Sequence, residues 1–318
     1  MAHESGTAGS ETDLLAKLDA FLTGNAQLVA AGEAWQRLFD HTTAATATEE
    51  ASRAIAWLAP GASGEDKIYI GAYTRGLTGA DTWNLCFCGG TMFSSAGAQS
   101  GGLRAGFINI CKDVVLFADR RAFRYWFFAS GRRVIVVTGV NVIYSAVYCG
   151  FMLPVVSPPE YPFPLVIAGS TGNTALRYSD TTNEHSAIVD PRQQNFWLMY
   201  PDQGWRDIYG RTYGSITTGG YERYLTPNGA MRYRSGTLQT LTTLQPSPGG
   251  HYPLFPVEIR SLEDPGVNFL GALDGVFWLP GVGRASEDII RSADGHQYLV
   301  FQNGFRITSC DYFAVEVT

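Results

Sequence analysis

The spacing of apolar residues separates a short helical start from a long remainder with the period of β-strands. Apolar side chains recur three and four positions apart at Leu14, Leu15, Leu18, Phe21 and Leu22. This spacing predicts an amphipathic helix with Thr12 as its N-cap and an interruption at Gly24. A second helical run is expected to reach Phe39, followed by a short helical option over 41–54. Residues 1–10 are small and polar, and we expect them to be ordered only by packing on another surface.

From residue 55 onward the apolar pattern has a period of two. Short runs bounded by Gly, Pro, Asn and Asp predict strands at 55–58, 67–73, 83–88, 114–117, 123–129, 133–138 and 141–149. A Ser/Gly/Ala loop is expected at 94–106. Near the C-terminus the same pattern predicts strands at 252–259, 269–273, 275–279, 287–291, 297–303 and 312–317. Asp274-Gly275 and Asp294-Gly295 are the tight-turn signals between them.

A proline-rich segment, from Tyr144 to Gly169, joins these two sets of strands. Its five prolines fall within eleven residues, at Pro154, Pro158, Pro159, Pro162 and Pro164. Proline fixes φ and removes a backbone donor, so the segment is predicted to be a stiff, extended connector. Its aromatic side chains, Phe151, Tyr161 and Phe163, are expected to anchor it on a surface.

The pattern as a whole predicts a mainly β protein with an N-terminal helical segment. Two antiparallel β modules, sandwich- or barrel-like, are expected on either side of the connector. The predicted divisions are an N-terminal helical segment at 1–54, a first β module at 55–150, the connector at 151–169, an extended arm at 170–250 and a C-terminal β module at 251–318. Because residues 201–250 are polar, we expect the arm to gain order from a partner.

The composition indicates that much of the protein surface is suited to contact with other proteins. Of the 318 residues 45% are hydrophobic and only 16% are charged, against about 25% charged in typical globular proteins. The net charge of −6, without a dense Lys/Arg block, predicts no nucleic-acid footprint. No stretch approaches the ~18 apolar residues of a membrane span. The opening MAHESGTAGS lacks the basic and apolar regions of a signal peptide, so none is expected.

The five cysteines give no metal-site spacing. Cys86 and Cys88 lie on one face of a predicted strand, but no second pair follows them. Cys111, Cys149 and Cys310 lie within apolar sequence. We therefore expect buried free thiols in a chain made in a reducing compartment.

Catalytic patterns are also not found. Ser179, Asp180 and His185 lie along one loop, which is typical of turn chemistry and not of a triad assembled across a fold. The glycine-rich stretch at 169–174 lacks the lysine of a phosphate-binding loop. Neighbouring carboxylates, as in Glu263-Asp264 and Glu287-Asp288, point to opposite faces of an extended chain. We predict no catalytic, cofactor-binding or metal-binding residues, and no enzyme.

Three stretches carry a resemblance to a known group of proteins. They are IYIGAYTRGLTGADTWNLCFCG, then YCGFMLPVVSPPEYPFPLVIAGS with RYSDTT after it, and GALDGVFWLPGVGRASEDIIRSADGHQYLVFQNGFRITSCDYFAVEV. With the N-terminal helical piece, the chain resembles an uncharacterised family of virion structural proteins of tailed bacteriophages. The resemblance is weak over 200–250. Cys86, Cys88 and Cys149 depart from the Tyr, Gly or Ser of the family pattern.

The resemblance implies a particle component of the tail, neck, head-to-tail junction or baseplate, made in the host cytoplasm. Its partners would be copies of itself in a ring and other tail or neck proteins. The expected contact residues are Pro154, Pro158, Tyr161, Phe163, Trp197, Tyr200, Trp205, Tyr209, Tyr213, Tyr221 and Tyr224. One alternative is a receptor- or carbohydrate-binding tail module that uses the aromatic residues of the arm. A cell-wall hydrolase is another, and it would need the paired carboxylates or metal site that the sequence does not offer.

Overall fold

The computed structural model describes residues 1–61, 64, 66–180, 188–189, 195–208, 223–226, 251–263, 266–304 and 312–317. The helices are α1 (Glu11–Gly24), α2 (Ala26–Ala31), α3 (Ser95–Gly101) and a 3-10 helix at Leu103–Gly106. The strands are β1 (Ala2–Ala8), β2 (Gln36–Thr43), β3 (Ser52–Ala59), β4 (Ile68–Leu77), β5 (Thr82–Gly90), β6 (Met92–Phe93), β7 (Phe107–Ile108), β8 (Val114–Phe117), β9 (Phe123–Ala129), β10 (Arg133–Val140), β11 (Ile143–Phe151), β12 (Leu153–Pro154), β13 (Leu165–Ala168), β14 (Phe196–Met199), β15 (Trp205–Asp207), β16 (Arg223–Thr226), β17 (Phe255–Glu263), β18 (Gly266–Leu279), β19 (Ile289–Arg291), β20 (Gln297–Gln302) and β21 (Tyr312–Glu316).

A central antiparallel sheet is buried on both faces. Its strand order is β1-β9-β10-β11-β13-β14-β15. Because successive side chains of a strand point to opposite faces, Val134 and Val136 of β10 enter one hydrophobic core, whereas Ile135 and Val137 enter another. This double burial explains why β9, β10 and β11 are apolar at nearly every position. The fold is thus mainly β with an N-terminal helix, as predicted, and its layers are antiparallel sheets.

The first outer layer combines the N-terminal helix with the sheet β2-β3-β4-β5-β8. Leu14, Leu18 and Phe21 of α1 share the first core with strands of this sheet and of the central sheet. A buried carboxylate fixes the helix in place. Asp19 accepts hydrogen bonds from Trp57 Nε1 at 2.8 Å and from Arg37 Nη1 at 2.7 Å. The helix is therefore tied to β3 and to the N-terminal end of β2.

The second outer layer is the C-terminal sheet. Its order is β16-β17-β18-β21-β20-β19, and β12 pairs with β18 beside it. Phe301 of β20 packs against the rings of Trp126 and Phe128 in β9, with centroids 5.2 and 6.2 Å away. Trp278 and Phe313 are fully buried in the same core. Aromatic side chains thus join this layer to the second face of the central sheet.

The N-terminal region differs from its sequence prediction. Residues 2–8 form β1, an edge strand of the central sheet. The α1 cap is Ser10, whose Oγ accepts a hydrogen bond from Asp13 N at 3.1 Å, and not Thr12. The helix ends at Gly24, as expected. The second helical run is wrong beyond Ala31, because Gly32 adopts a left-handed conformation with φ of 70° and ends α2.

Two further local predictions are wrong. The helical option over 41–54 is instead occupied by the end of β2, a connection and the start of β3, since pairing with the next strand satisfies the backbone there. The expected loop at 94–106 contains α3 and the 3-10 helix, begun by a Ser94 cap on Gly97 N. None of the helices in the described ranges has both the length and the apolar character that crossing a bilayer requires.

The C-terminal strands follow the prediction except at Asp274-Gly275. The predicted tight turn there is wrong, because β18 runs without a break from Gly266 to Leu279. Gly275 has a φ of 69°, and the register against β17 shifts nearby, between Pro256 and Glu258. The Gly-rich signal therefore marks an irregularity within a long strand. At Asp294-Gly295 the chain does turn, between β19 and β20, as predicted.

The central sheet takes its strands from several of the predicted divisions. β1 comes from the segment 1–54, β9 to β11 fall within or just beyond 55–150, and β14 and β15 belong to the predicted arm. The division into an independent first module and a C-terminal module stays a prediction. What the structure shows is a sheet shared by residues from 2 to 207, with an outer layer on each face.

Candidate assembly surface

The proline-rich connector leaves the central sheet and returns to it at one fixed point. Met152 N donates a hydrogen bond to Pro164 O at 2.9 Å, which holds the two ends of the connector side by side. Phe151 N bonds to Arg132 O at 2.9 Å, and Arg132 Nη2 bonds to Met152 O at 3.1 Å. The hairpin between β9 and β10 thus supports the root of the connector.

From this root the connector forms a short ribbon with β18. Leu153 lies opposite Ala272 and Pro154 opposite Gly271, and Val155 N donates to Leu270 O at 3.3 Å. Gly271 has a φ of 158°, and a Cβ atom there would lie 2.3 Å from Leu153 O. The close approach of the two backbones therefore requires glycine at this position.

The tip of the connector is a closed turn. The backbone N–H groups of Glu160 and Tyr161 both donate to Ser157 O at 3.0 Å. Glu160 Oε2 in turn accepts hydrogen bonds from Ser157 Oγ at 2.7 Å and from Ser157 N at 3.2 Å. These hydrogen bonds lower the pKa of the Glu160 carboxyl, and the bond from the Ser157 side chain contributes more than the bond from its backbone. The carboxylate thus stabilises the turn from one side and the prolines restrict it from the other.

Tyr161 anchors the tip to the body of the protein. Its ring is buried, and its hydroxyl donates a hydrogen bond to the backbone carbonyl of Met199 at the end of β14. Burial raises the pKa of this phenol, so it stays a donor at physiological pH. Phe151 is also buried, and Phe163 packs against the first core from a half-buried position. The prediction that these three aromatic residues anchor the connector is confirmed.

The anchored ribbon exposes apolar side chains. Leu153, Val155 and Val156 are 44%, 53% and 42% exposed, and Phe269 of β18 is 42% exposed. β12 ends at Pro154, and its partner Gly271 lies two residues after Phe269 in β18, so Phe269 is close in sequence to the pairing. We call these four residues the connector patch. Neighbouring apolar side chains that a rigid backbone presents to solvent are typical of protein–protein contact surfaces.

The predicted contact residues of the connector fall into two groups. Pro158 is exposed at the tip and Pro154 is half-buried in β12, so both remain on the surface. Tyr161 is buried and Phe163 is half-buried against the core. The prediction that Tyr161 contacts a partner is therefore wrong, because its ring is buried and anchors the connector to the body of the protein.

The predicted contact role is also corrected for aromatic residues in and next to β14. Trp197 is 9% and Tyr200 8% exposed, since β14 lies inside the central sheet and Tyr200 directly follows it. Trp205 in β15 is half-buried, and its Nε1 donates to Asn109 O at 2.8 Å. Lys112 Nζ lies 5.3 Å from the Trp197 ring. Of these three, Trp205 alone keeps a partly exposed ring.

The other predicted contacts cannot be placed as surface residues. Tyr209, Tyr213 and Tyr221 lie outside the described residues. Tyr224 belongs to β16, whose backbone pairs it with Arg260 of β17, and its side chain is outside the description. The predicted contact residues do not include Leu153, Val155, Val156 or Phe269. The apolar stretch Leu-Pro-Val-Val, placed before a Ser-Pro-Pro turn, was the available signal for the first three.

The described residues offer little that resembles a catalytic centre. In these ranges no group of three or more His, Cys, Asp or Glu side chains could hold a metal ion. Cys86, Cys88, Cys111 and Cys149 are free and buried, as predicted. Burial raises the pKa of the Cys86 and Cys111 thiols to about 12, so neither is a thiolate nucleophile at neutral pH.

Carboxylates near the surface are paired structurally. Tyr144 Oη donates to Glu287 Oε1 at 2.6 Å, and Arg124 forms an ion pair with the same carboxylate. Arg177 Nε and Nη2 donate hydrogen bonds to Asp180 Oδ1 at 3.2 and 3.0 Å, whereas the loop after Asp180, with His185, lies outside the described residues. Searches of protein-family models and of curated proteins found no match to this chain.

Proposed function

We propose that the protein is a structural component of a tailed-bacteriophage virion, assembling as a ring or layer of the tail, neck or baseplate. It is not an enzyme in this proposal, and its partners are copies of itself and adjoining tail or neck proteins. The observation that supports it best is the connector patch, in which rigid backbone presents Leu153, Val155, Val156 and Phe269 to solvent. The three sequence stretches that resemble virion proteins include most of this patch.

The physical argument concerns the cost of ordering an interface. Association is weakened by the entropy lost when loops become ordered on binding. Here the root pairing at Met152–Pro164, the ribbon with β18 and the Ser157–Glu160 turn order the connector before any partner arrives. An apolar surface of this kind favours repeated contacts between identical subunits. A patch that meets a different surface on the next copy generates a ring when the rotation closes.

A charge placed in the connector patch tests the proposal. We expect wild-type protein to form rings visible by negative-stain electron microscopy and to sediment as a large species. Val156→Asp should shift most of the protein to small species, because it buries an unpaired charge in the contact. Val142→Asp is the matched control, since Val142 is 76% exposed in the turn between β10 and β11.

The outcomes separate clearly. Loss of assembly in Val156→Asp but not in Val142→Asp supports the connector as the contact. Equal loss in both variants contradicts the role of the connector. A wild-type protein that stays monomeric when concentrated, and that mass spectrometry does not find in particles, rules out the proposed function as a whole.

The alternative of a receptor- or carbohydrate-binding tail module has less support from the described residues. Trp197 and Tyr200 are buried, and Trp205 is held by its bond to Asn109 O. Saturable binding on a glycan array that is lost in Trp205→Ala would favour this alternative over the first proposal.

A further inference from the structure

Within the part of the chain that the structure describes, the N-terminal strand β1 leaves one edge of the central sheet unpaired. It pairs with β9 over seven successive positions without a register shift, from Ala2 opposite Ala129 to Ala8 opposite Phe123. It contains no proline or lysine, and its only acidic residue, Glu4, accepts a bond from Tyr125 Oη at 2.9 Å. Natural sheets protect exposed edges with such residues or with bulges. Apart from Glu4, β1 has none of these protective features.

Other sheet edges in the described residues are short, irregular or covered. β15 and β19 have three residues each, and β2 has a register shift between Arg37 and Phe39. The edge of β8 is capped, because Phe117 N donates to Ser145 Oγ at 2.9 Å and Thr138 Oγ1 donates to Phe117 O at 2.6 Å. The regular, uncovered edge of β1 therefore differs from these.

The hydrogen-bond pattern identifies which groups of β1 face outward. Ser130 N bonds to Arg133 O at 3.0 Å and closes the hairpin between β9 and β10. Because bonded and non-bonded pairs alternate in antiparallel sheets, Phe128 and Trp126 bond to β10, whereas Ala129, Phe127 and Tyr125 bond to β1. The β1 residues whose backbone N–H and C=O groups point away from β9 are then His3, Ser5 and Thr7. Among the described residues, no other backbone hydrogen bond reaches β1.

We infer that β1 pairs with β1 of a second copy, antiparallel about a two-fold axis at Ser5. This register places Ser5 opposite Ser5 and His3 opposite Thr7, so that all three outward-facing residues occupy bonded positions. Each of the three bonded pairs contributes two hydrogen bonds. Glu4 falls opposite Gly6 and Ala2 opposite Ala8, so no like charges lie directly across from each other. A shift by two residues in either direction leaves outward groups unpaired.

Side chains near the proposed axis are accessible to solvent. Ser5 and Thr7 are exposed, and a cavity of about 250 Å³ beside them is bounded by Arg124 and Glu287. Those two side chains are paired with each other, so an approaching copy meets a balanced charge. The two central sheets would join into one continuous sheet across the axis.

This contact goes beyond the proposed function and is independent of the connector patch. A two-fold contact uses the same surface on both copies and joins only two subunits. A ring needs a second, different surface, which the connector patch would supply. Experiments can therefore disprove one of the two contacts and leave the other supported.

A proline at the axis tests the pairing. Ser5→Pro removes an outward N–H and leaves the bonds from β1 to β9 in place, as tolerated on edge strands. We expect this substitution to weaken the two-subunit contact roughly tenfold or more, because two hydrogen bonds are lost per pair. Ser5→Ala keeps the backbone donor and should leave the contact unchanged. Sedimentation equilibrium is the measurement, made in the Val156→Asp background so that rings do not obscure the pair.

A cross-linking experiment tests the register even if the proline variant misfolds. Ser5→Cys places two thiols across the axis, with Cα atoms expected about 5.5 Å apart. A short bis-maleimide should then give a covalent dimer. Thr7→Cys is the control, because each Thr7 lies opposite His3 and far from the other Thr7. The four described native cysteines are buried, and unmodified protein reports any background reaction.

Three results would overturn the inference. One is a wild-type affinity between subunits that Ser5→Pro does not alter. Another is equal cross-linking of Ser5→Cys and Thr7→Cys. The third is cross-linking of Ser5→Cys in particles to a different protein and not to itself, which would assign the edge to a strand from another component.

Discussion

His3 shows how one half-buried ring links stability to pH. Its imidazole stacks on Phe128 with the ring centroids 4.9 Å apart, and its Nε2 atom is buried without a hydrogen-bond partner among the described residues. Burial lowers the pKa of His3 below its ordinary value of 6.5, and the neighbouring Glu4 carboxylate opposes part of that shift. The folded protein therefore favours the neutral ring.

The pH dependence follows from this direction. Below about pH 6.5 the unfolded chain binds a proton at His3 that the folded chain resists, so the free energy of unfolding falls as the pH is lowered. We expect His3→Phe to keep the stacking and to lose this part of the pH dependence. Urea denaturation of both proteins at pH 7.5 and pH 5.5 measures it. An identical loss of stability in both proteins would contradict the assignment to His3.

At the scale of elements, the start of α1 is set by a side chain just outside the helix. Ser10 Oγ accepts from Asp13 N at 3.1 Å, and Asp13 Oδ2 accepts from Gly9 N at 2.8 Å. This reciprocal pair satisfies two backbone donors near the helix start. Thr12, two residues later, contacts only the side chain of Glu11 among the described hydrogen bonds.

Removing the cap should therefore distinguish the two hydroxyl residues. We expect Ser10→Ala to lower the free energy of unfolding by about 0.5–2 kcal/mol, the usual cost of losing an N-cap. Thr12→Ala should change it by no more than about 0.5 kcal/mol, as for most surface substitutions. Urea denaturation followed by tryptophan fluorescence is the measurement. A larger effect at Thr12 than at Ser10 would contradict the observed cap.

Sequence pattern predicted some elements well because one periodicity dominated there. The runs at 114–117 and 123–129 are strands with the predicted limits. The pattern failed where tertiary pairing decided the outcome. Residues 2–8 are too small and polar to show a strand pattern, yet they pair with β9, more than a hundred residues away. The Asp274-Gly275 signal also failed, because a positive φ serves an irregular strand as readily as a turn.

The connector patch was only partly predictable for a similar reason. The anchoring aromatic residues could be predicted locally and are confirmed. The extended form predicted for the proline connector is wrong, because β12 pairs with β18 and the tip closes into a turn on Ser157. Which aromatics remain exposed depends on the layer that covers them, and this covering buries Trp197 and Tyr200. Phe269 joins the patch only through the pairing of β12 with β18, between residues over a hundred positions apart.

For the whole molecule, the central sheet couples the two cores. Its strands place alternate side chains in each, so loss of the sheet would expose both. Ile167 on β13 belongs to the first core and Ile135 on β10 to the second, and both are fully buried. A destabilising substitution in either core should therefore lower the stability of the central sheet and of both cores together.

We expect Ile167→Val and Ile135→Val each to lower the free energy of unfolding by about 0.5–1.5 kcal/mol. Each should also shift a single unfolding transition, because the cores share the sheet between them. Urea denaturation followed by fluorescence and by far-ultraviolet circular dichroism checks whether the two signals coincide. Two separate transitions, with one variant affecting only one of them, would show that the layers unfold independently.

The pairing of β1 with β9 has a consequence for how the protein is made. Strand β1 leaves the ribosome before β9 and cannot pair with it until residue 129 has followed, on the order of ten seconds later at bacterial synthesis rates of about 5–20 residues per second. Meanwhile the apolar strands destined for the interior lack their covering layers, a state that favours aggregation. Recombinant production should therefore gain from slow translation at low temperature and from extra chaperone.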